Sequence, residues 1–265
     1  MEVVICSNAE RVGELAAAKV AFIIGEVGPH ATLGVATGSS PLALYGALAR
    51  LVASGDLDVR HISAFALDEY VGLPSSHPQS YAAVIHATVT VPLGFDPTLV
   101  HTPAGSADDI EEAAAAYEQA IRDIGGIDVQ ILGVGANGHV GFNEPTSSLA
   151  SRTRIKTLTE KTRSDNARFF DTPEEVPTHC LTQGLGTIMD AREVVVVAQG
   201  KAKADAIAAI VEGPVTAMCP GSVLQLHPRV TIIVDEPAAS KLALADYYRT
   251  TFEKKPTWQR FQDRS

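Results

Sequence analysis

Residues 127–145 read IDVQILGVGANGHVGFNEP. The first six residues are largely apolar and β-branched, a pattern that predicts a buried strand. Four of the next thirteen are glycine, and this density is typical of backbone with positive φ or of backbone that a ligand approaches closely. The sequence therefore predicts a strand that ends in a ligand-facing loop, with His139 and Glu144 as candidate site residues. A mobile surface turn with an incidental histidine is the alternative, and an isolated glycine-rich loop fits it equally well.

Short β-branched runs alternate along the chain with amphipathic or alanine-rich segments. This alternation predicts a doubly wound α/β fold, in which a mostly parallel, Rossmann-like sheet is covered by helices on both faces. The chain shows no linker, repeat or low-complexity segment, so residues 1–265 are expected to form a single domain. The predicted strands are residues 2–6, 31–36, 62–67, 127–132, 193–198 and 230–234, and the predicted helices are residues 8–27, 41–53, 107–124, 201–212 and 237–248.

The composition argues against several classes of function. The formal net charge is -10, and no run of Lys and Arg could follow a phosphate backbone, so we expect no nucleic-acid partner. No stretch approaches the length of a membrane span, and the N-terminus lacks the basic and apolar regions of a signal peptide. We therefore expect a cytoplasmic protein without a membrane partner. An anionic metabolite would need a local cluster of positive charge to overcome the repulsion of the whole protein.

The sequence indicates neither a disulfide framework nor a metal site. The three cysteines, Cys6, Cys180 and Cys219, are too few and too widely spaced for either, which suits a reducing compartment. The histidines are scattered without the spacing of metal ligands. We therefore expect buried or incidental thiols and no metal.

Residues 145–187 contain no clear strand pattern and include the basic stretch SRTRIKTLTEKTRSDNARFF. A connection of this length inside a compact fold is more often a functional lid or an additional layer than an idle loop. A pair of surface helices with solvated charges is the alternative, and it fits the sequence about as well.

In a doubly wound sheet, ligands bind outside the carboxyl ends of the strands, where the strand order switches. The second predicted strand leads into TGSSP at residues 37–41, which predicts a helix start with Ser40 as N-cap and Pro41 at the first helical position. Free amides, hydroxyls and the positive end of the helix dipole could bind an anion there. Taken alone, this turn is more often an ordinary capped helix.

Charged side chains follow other predicted strands. Asp68 and Glu69 come at the end of the third, and because successive strand residues point to opposite faces, we expect only one of them to enter a site. A partly desolvated carboxylate there could take a proton from carbon. Lys203 lies in the first turn of a helix, where its charge is unfavourable for the helix dipole and invites a bound anion. The alternatives are a solvated loop start for the carboxylates and a solvated side chain for Lys203.

Along nearly the whole chain, and in order, lie the motifs ALDEYVGL at residues 66–73, GVGANGHVGFNEP at 133–145, SSLASRTRIKTLT at 147–159, ARFFD at 167–171 and LQLHP at 224–228. Together they resemble the glucosamine-6-phosphate deaminases. The set is highly specific, although no single motif is. The fold expected from the strand and helix pattern is compatible with this resemblance.

The resemblance implies a reaction without a metal or redox cofactor. The pyranose ring of glucosamine 6-phosphate is opened, the aminoaldose is isomerised to a ketose imine, and the imine is hydrolysed to fructose 6-phosphate and ammonia. Asp68 would move the proton between C2 and C1, and His139 would open the ring with the support of Glu144 and Asn137. The resemblance also implies a lid at residues 158–181 and a phosphate site at Thr37, Gly38, Ser39, Ser40, Arg168 and Lys203.

Two features qualify the resemblance. Some members of the family carry aspartate where this chain has Asn137. Asparagine can orient His139 by hydrogen bonding but cannot stabilise imidazolium by charge. Glu144 is therefore expected to supply most of that stabilisation.

Some oligomeric members are activated by N-acetylglucosamine 6-phosphate at a subunit interface. The residues that match this effector site are Ser147, Arg154, Lys156 and Thr157, whereas Tyr247 and Tyr248 are out of register with its aromatic side chain. Activation and a homo-oligomer both stay open.

Two other functions are compatible with the same fold. A 6-phosphogluconolactonase would need an activated water and no base at C2, and the DEYVGL stretch at residues 68–73 argues against it. A non-enzymatic sugar-phosphate sensor normally carries a DNA-binding segment. This acidic chain begins with its first predicted strand, which argues against the sensor.

Overall fold

The chain folds around two β-sheets, which the computed structural model describes within residues 1–260. The strands are β1 (Glu2–Cys6), β2 (Thr32–Val35), β3 (Ser63–Ala66), β4 (Asp68–Tyr70), β5 (Val100–His101), β6 (Val129–Leu132), β7 (Arg154–Thr157), β8 (His179–Thr182), β9 (Glu193–Ala198) and β10 (Val230–Asp235). One sheet has the order β1-β10-β9-β6-β2-β3-β5, and its neighbours all run parallel. The other has the order β4-β8-β7 and is antiparallel.

Helices cover both faces of the parallel sheet, as the alternating pattern predicts. They are α1 (Ala9–Val27), α2 (Leu42–Ser54), α3 (Tyr81–Ile85), α4 (Val91–Leu93), α5 (Ile110–Asp123), α6 (Glu160–Asn166), α7 (Leu185–Met189), α8 (Ala204–Val211), α9 (Glu236–Ala239) and α10 (Ala245–Glu253). In β9, Val195 and Val197 pack against the core under α1 and α2, whereas Val194 and Val196 pack against the core under α5 and α8. The doubly wound α/β prediction is therefore confirmed, and all six predicted strands lie in this sheet.

The three cysteines lie inside the fold. Cys6, Cys180 and Cys219 are free thiols and are buried, as their spacing predicts. Within the described part of the chain, no helix combines the length and apolar character that crossing a membrane requires.

The small antiparallel sheet contradicts the expectation that residues 145–187 contain no strand. Both β7 and β8 lie in this segment, and β8 pairs with β4 on one side and with β7 on the other. The strand signal of β7 is weak because its sequence, RIKT, is mostly polar and its residues are alternately half-buried and exposed. The expected lid at 158–181 thus contains α6, and its last three residues lie in β8.

The expected N-cap role of Ser40 is wrong. Helix α2 begins at Leu42, and Pro41 occupies the cap position without a side-chain hydrogen bond. The Leu42 amide donates to the Ser39 carbonyl at 3.4 Å, and the Ser40 carbonyl accepts a hydrogen bond from Gln199 Nε2 at 3.1 Å. The turn after β2 therefore continues for one more residue before the helix starts.

The helix expected at residues 237–248 is also wrong as a single element, because it is divided into α9 and α10. The backbone amides of Ala243 and Leu244 donate to the Glu212 carboxylate at 2.7 and 2.9 Å. Amides bonded to this carboxylate replace the helical bonds that would continue α9. The break is thus imposed by a residue at the end of α8.

A buried carboxylate on α5 joins this helix to the residues before β7 and to α7. Glu118 of α5 accepts hydrogen bonds from the Thr153 amide at 3.1 Å, the Thr153 hydroxyl at 2.6 Å and the Thr187 hydroxyl at 2.9 Å. The Arg152 guanidinium forms a salt bridge with the same side chain. Burial alone would raise the pKa of Glu118, but the bonds from Thr153, Thr187 and Arg152 outweigh it and lower the pKa. Glu118 therefore fixes β7 and α7 to the helical layer as a charged acceptor.

We expect Glu118→Ala to lower the free energy of unfolding by about 3 kcal/mol at pH 7, because several buried donors lose their acceptor. A carboxylate whose pKa is lowered by folding stabilises above its unfolded pKa of about 4, and that stability is lost as the pH falls through the folded pKa. Urea unfolding at pH 7 and pH 3 measures both effects. Glu111→Ala, an exposed change on the same helix, is the control, and equal losses in the two variants would contradict the assignment.

Candidate active site

A cavity of about 480 Å³ opens at the carboxyl ends of β2 and β6. Between these two strands the connections run in opposite directions along the sheet, so the cavity lies where a doubly wound fold normally binds its ligand. Its wall is formed by the turn after β2, the start of β4, the glycine-rich loop after β6, the segment around α6 and the residues after β9. The strand ends that the sequence singles out therefore meet in one place.

The glycine-rich loop packs closely against its own side chains and against a neighbouring thiol. A Cβ atom on Gly135 would lie 2.3 Å from the imidazole of His139. The Gly135 amide donates to the His139 carbonyl at 2.9 Å. Gly138 has a φ of 81°, and a Cβ atom there would lie 2.5 Å from Cys219 Sγ. The glycines thus allow His139 to fold back over its own loop beside the cavity.

His139 and Glu144 form a close pair at the edge of the cavity. Nδ1 of His139 lies 3.4 Å from Oε2 of Glu144. Asn137 Nδ2 donates to the same Oε2 at 2.9 Å, and Asn137 Oδ1 accepts from the His139 amide at 3.2 Å. Asn137 therefore orients His139 through its backbone and through Glu144.

The second oxygen of Glu144 faces α6. Thr159 Oγ1 donates to Oε1 at 3.2 Å, and the Thr162 hydroxyl donates to the same atom. The Glu144 side chain is buried, which alone would raise its pKa, but His139, Thr162 and Asn137 outweigh burial and lower the pKa to about 2. Glu144 is therefore a carboxylate at neutral pH and can stabilise an imidazolium beside it.

Asp68 lines the cavity from the start of β4 and is 5% exposed. Burial, with a smaller contribution from the neighbouring Glu69, raises the pKa of Asp68 to about 8. A Cβ atom on Gly141 would lie 3.6 Å from Asp68 Oδ2, so the loop that carries His139 passes directly over this carboxylate. A carboxyl group with a pKa near the working pH is suited to accept and return a proton.

Glu69 points away from the cavity, as the alternation of strand side chains predicts. Its carboxylate accepts hydrogen bonds at 2.8 Å from the backbone amides of Tyr70, Tyr81 and Ala82. Glu69 therefore fixes the start of α3 and does not line the cavity. Of the two adjacent carboxylates, Asp68 is the one that enters the site.

Positive charge collects at the part of the cavity wall that Lys161, Arg168 and Lys203 form. Burial lowers the pKa of Lys203, and the charges of Arg168 and Lys161 lower it further, whereas Asp165 acts in the other direction. Three cations with one carboxylate give this part of an acidic protein a local excess of positive charge. The candidate phosphate residues that line the cavity are Thr37, Gly38, Ser39, Ser40, Arg168 and Lys203.

The four candidate effector residues lie outside the cavity lining. Arg154 donates to Asn143 Oδ1 at 2.9 Å, and Asn143 Nδ2 in turn donates to the Val140 carbonyl at 3.0 Å, within the glycine-rich loop. Ser147 is buried, and its hydroxyl has no hydrogen-bond partner among the described residues. Lys156 and Thr157 follow Arg154 on β7.

The tyrosines near the C-terminus lie in α10. Tyr247 lines a second cavity beside β1, and the Tyr248 hydroxyl donates to Glu212 at 3.1 Å. Neither side chain lines the cavity beside Asp68 and His139.

Sequence reasoning missed the contribution of α6 to the site. Lys161, Thr162 and Asp165 line the cavity, and Thr159 contacts Glu144. Thr159 directly precedes α6 and its hydroxyl accepts from the Thr162 amide, which is an N-cap signal that the sequence does carry. Nothing local indicates that the same hydroxyls also reach Glu144.

Known proteins resemble this chain over almost its full length. A protein of Cutibacterium acnes named glucosamine-6-phosphate deaminase is 61% identical over 251 residues, covering 95% of this chain and 96% of that one. A protein of Streptomyces avermitilis with the same name is 56% identical over 260 residues, covering 98% and 99% of the two chains.

Solved structures give the same grouping. A monomeric glucosamine-6-phosphate deaminase matches with a TM-score of 0.88 and 39% identity, covering 91% of this chain and 100% of that one. A 6-phosphogluconolactonase from Trypanosoma cruzi, with a TM-score of 0.72 and 20% identity over 91% of this chain and 97% of that one, shares the fold. The family model for glucosamine-6-phosphate isomerases/6-phosphogluconolactonase matches residues 7–233. The chain therefore belongs to the family of glucosamine-6-phosphate isomerases and 6-phosphogluconolactonases.

Proposed function

We propose that this protein is a glucosamine-6-phosphate deaminase, which converts glucosamine 6-phosphate and water to fructose 6-phosphate and ammonia. The observation that carries the proposal is the placement of Asp68 and the His139–Glu144 pair around one cavity, with Arg168 and Lys203 on its wall. Two proton-transfer groups and an anion-binding region match the needs of a phosphorylated aldose that is isomerised.

Ring opening is the first task of the site. The C1 hydroxyl must lose a proton and the ring oxygen must gain one, so a single group that both accepts and donates can serve both atoms. His139 can do this because a neutral imidazole has a ring nitrogen that accepts a proton, and the protonated ring can then donate it. Glu144, held as a carboxylate, stabilises the protonated imidazole. Asn137 fixes the relative orientation of the two side chains through its hydrogen bonds to the His139 amide and to Glu144.

Isomerisation needs a second base. The Asp68 carboxylate removes the proton from C2 of the open-chain aminoaldose and returns it to C1. In the same conversion O1 gains a proton and the C2 amino group loses one, which leaves a hydroxyl at C1 and an imine at C2. Water adds to this imine, and ammonia leaves as the ketone forms. Lactone hydrolysis needs no base at C2, so the buried Asp68 favours the deaminase over a lactonase.

The phosphate group would bind at the cationic part of the cavity wall. A sugar phosphate carries a charge of about -1.5 to -2 near neutral pH, and Arg168 and Lys203 offset it within a protein whose formal charge is -10. Amides and hydroxyls of residues 37–40 complete the anion site. This anchor holds C1 and C2 near the two bases.

The candidate effector residues and the assembly form a separate part of the proposal. We infer that Ser147, Arg154, Lys156 and Thr157 form an N-acetylglucosamine 6-phosphate site, supported by the buried unpaired Ser147 hydroxyl and by the Arg154–Asn143 bond toward the glycine-rich loop. An activity titration with this compound, combined with size-exclusion chromatography, tests activation and homo-oligomer formation together. We place the reaction in the cytoplasm, where the three free cysteines stay reduced.

The deaminase proposal predicts that the purified protein releases ammonia and fructose 6-phosphate from glucosamine 6-phosphate without added NAD or metal. Asp68→Asn should lower kcat by about a thousandfold, because the proton at C2 loses its acceptor. Its substrate affinity, measured by calorimetry, should stay within about twofold because the phosphate contacts remain. Absence of both products from the wild-type protein would refute the deaminase. A comparable loss of binding in Asp68→Asn would show that Asp68 is structural.

The raised pKa of Asp68 predicts that this residue, needed for activity, lowers the stability of the folded protein at neutral pH. Folding raises this pKa to about 8, so the contribution of Asp68 to stability falls as the pH rises from its unfolded value, about 4, toward 8. Asp68→Asn should therefore raise the free energy of unfolding by about 4 kcal/mol at pH 7, which is about three pH units above the unfolded pKa, and change it little near pH 4. Urea unfolding at both pH values tests this, and a destabilised Asp68→Asn at pH 7 would contradict it.

The same pKa can be measured without substrate. In carbon-13 NMR spectra of the aspartate carboxyl groups, the signal that disappears in Asp68→Asn should titrate with a midpoint near 8. Asp58, an exposed residue whose pKa is lowered by Arg60, supplies an internal reference that stays charged throughout. A midpoint near 4 for the Asp68 signal would show that the carboxyl group is solvated.

A further inference from the structure

The Glu144 carboxylate is held from two sides by different parts of the chain. Oε2 faces the glycine-rich loop, where it meets His139 Nδ1 and Asn137 Nδ2. Oε1 faces α6, where it accepts from the hydroxyls of Thr159 and Thr162. One oxygen therefore belongs to the acid–base pair, and the other joins that pair to a helix in the expected lid.

The two threonines form a small network of their own at the start of α6. Thr159 Oγ1 lies 3.0 Å from Thr162 Oγ1, and the Thr162 amide donates to Thr159 Oγ1 at 3.2 Å. Thr162 is 6% exposed. A buried hydroxyl with a fixed partner sets the orientation of the carboxylate that it contacts, because the alternative leaves a buried acceptor oxygen unpaired.

The neighbouring residue on α6 faces a different group. Successive helical residues point about 100° apart, and while Thr162 contacts Glu144, Lys161 lines the cavity together with Arg168 and Lys203. The partner of Lys161 is Asp165, 3.5 Å away, and both side chains are more than half exposed. Such an exposed pair contributes little energy, so Lys161 is available to an anion in the cavity.

The C-terminal end of α6 also contacts the strand that carries Asp68. Asn166 Nδ2 donates to the Tyr70 hydroxyl at 2.9 Å, and Tyr70 lies two residues after Asp68 in β4. Helix α6 therefore contacts the strand that carries Asp68, the carboxylate beside His139 and the cationic wall of the cavity. Seven residues link the three parts of the site.

We propose that Thr162 is a positioning residue through which α6 holds the Glu144 carboxylate toward His139, and that an anion bound near Lys161 favours this docked position of α6. In this proposal Thr162 acts on the reaction through Glu144, whose Oε1 accepts its hydroxyl. The kinetic consequence rests on the proposed deaminase function, whereas the docking of α6 by an anion does not depend on it.

Thr162→Val removes the hydroxyl and keeps the size of the side chain. It should lower kcat about tenfold while changing KM less than about twofold, because the phosphate contacts remain and the acid–base pair loses its orientation. Thr162→Ser should restore kcat to within about threefold of the wild-type value, because it keeps the donor. Ser164→Ala, an exposed hydroxyl deletion on the same helix, is the matched control and should equal the wild type. A kcat for Thr162→Val within twofold of the wild type, or a Thr162→Ser variant as slow as Thr162→Val, would overturn the positioning role.

Hydrogen exchange tests the anion-dependent docking without turnover. Inorganic phosphate should slow the exchange of the backbone amides of residues 160–166 in the wild-type protein, and this protection should fall by at least about half in Lys161→Gln while Lys161→Arg keeps it. No protection in the wild type, or equal protection in Lys161→Gln, would overturn this part of the inference. If the wild-type protein releases no ammonia but phosphate still protects α6, the deaminase function fails and the docking of α6 stands.

Discussion

The architecture of the site depends on the point where the chain leaves the parallel sheet after β3. The Gln183 amide donates to the Leu67 carbonyl at 2.8 Å, and Gln183 Nε2 donates to the Ala66 carbonyl at 3.0 Å. These bonds turn the chain from the large sheet into the small one, and Asp68 is the first residue after the turn. Because Gln183 is completely buried, the bonds are shielded from water, and they fix Asp68 relative to both sheets.

The carboxyl groups of Asp68 and Glu144 lie in environments that have opposite effects on their pKa. Asp68 lies where burial disfavours its charged form, whereas Glu144, equally buried, is surrounded by donors that favour its charged form. For Glu144, hydrogen bonds and the neighbouring His139 therefore reverse the effect that burial has on Asp68. Lys203 and Arg168 lie across the cavity wall, where a phosphate can offset their mutual repulsion.

The sequence predicts the parts of this structure that depend on local pattern. The parallel strands could be predicted because burial on both faces requires continuous β-branched runs, as in β9. Strands β4 and β5 could not, because they are only three and two residues long, and β7 and β8 could not, because at least half of their residues are polar. The other differences between prediction and structure come from contacts between residues that are far apart in the sequence. Glu212 divides the helix expected at residues 237–248, and Gln199 binds the turn at Ser40. Thr162 contacts Glu144 from a helix whose own sequence indicates only an N-cap. Such contacts leave no periodic signal.

The small sheet also holds together the two ends of the segment that carries α6. Thr157 at its start pairs with His179 at its end, as antiparallel neighbours in β7 and β8. The two ends are thus already side by side, so the entropy of closing this loop is lost when the protein folds and not when a ligand binds. Contacts made by the interior of this loop, such as that of Thr162 with Glu144, therefore cost less ordering entropy than the same contacts made by an untethered segment.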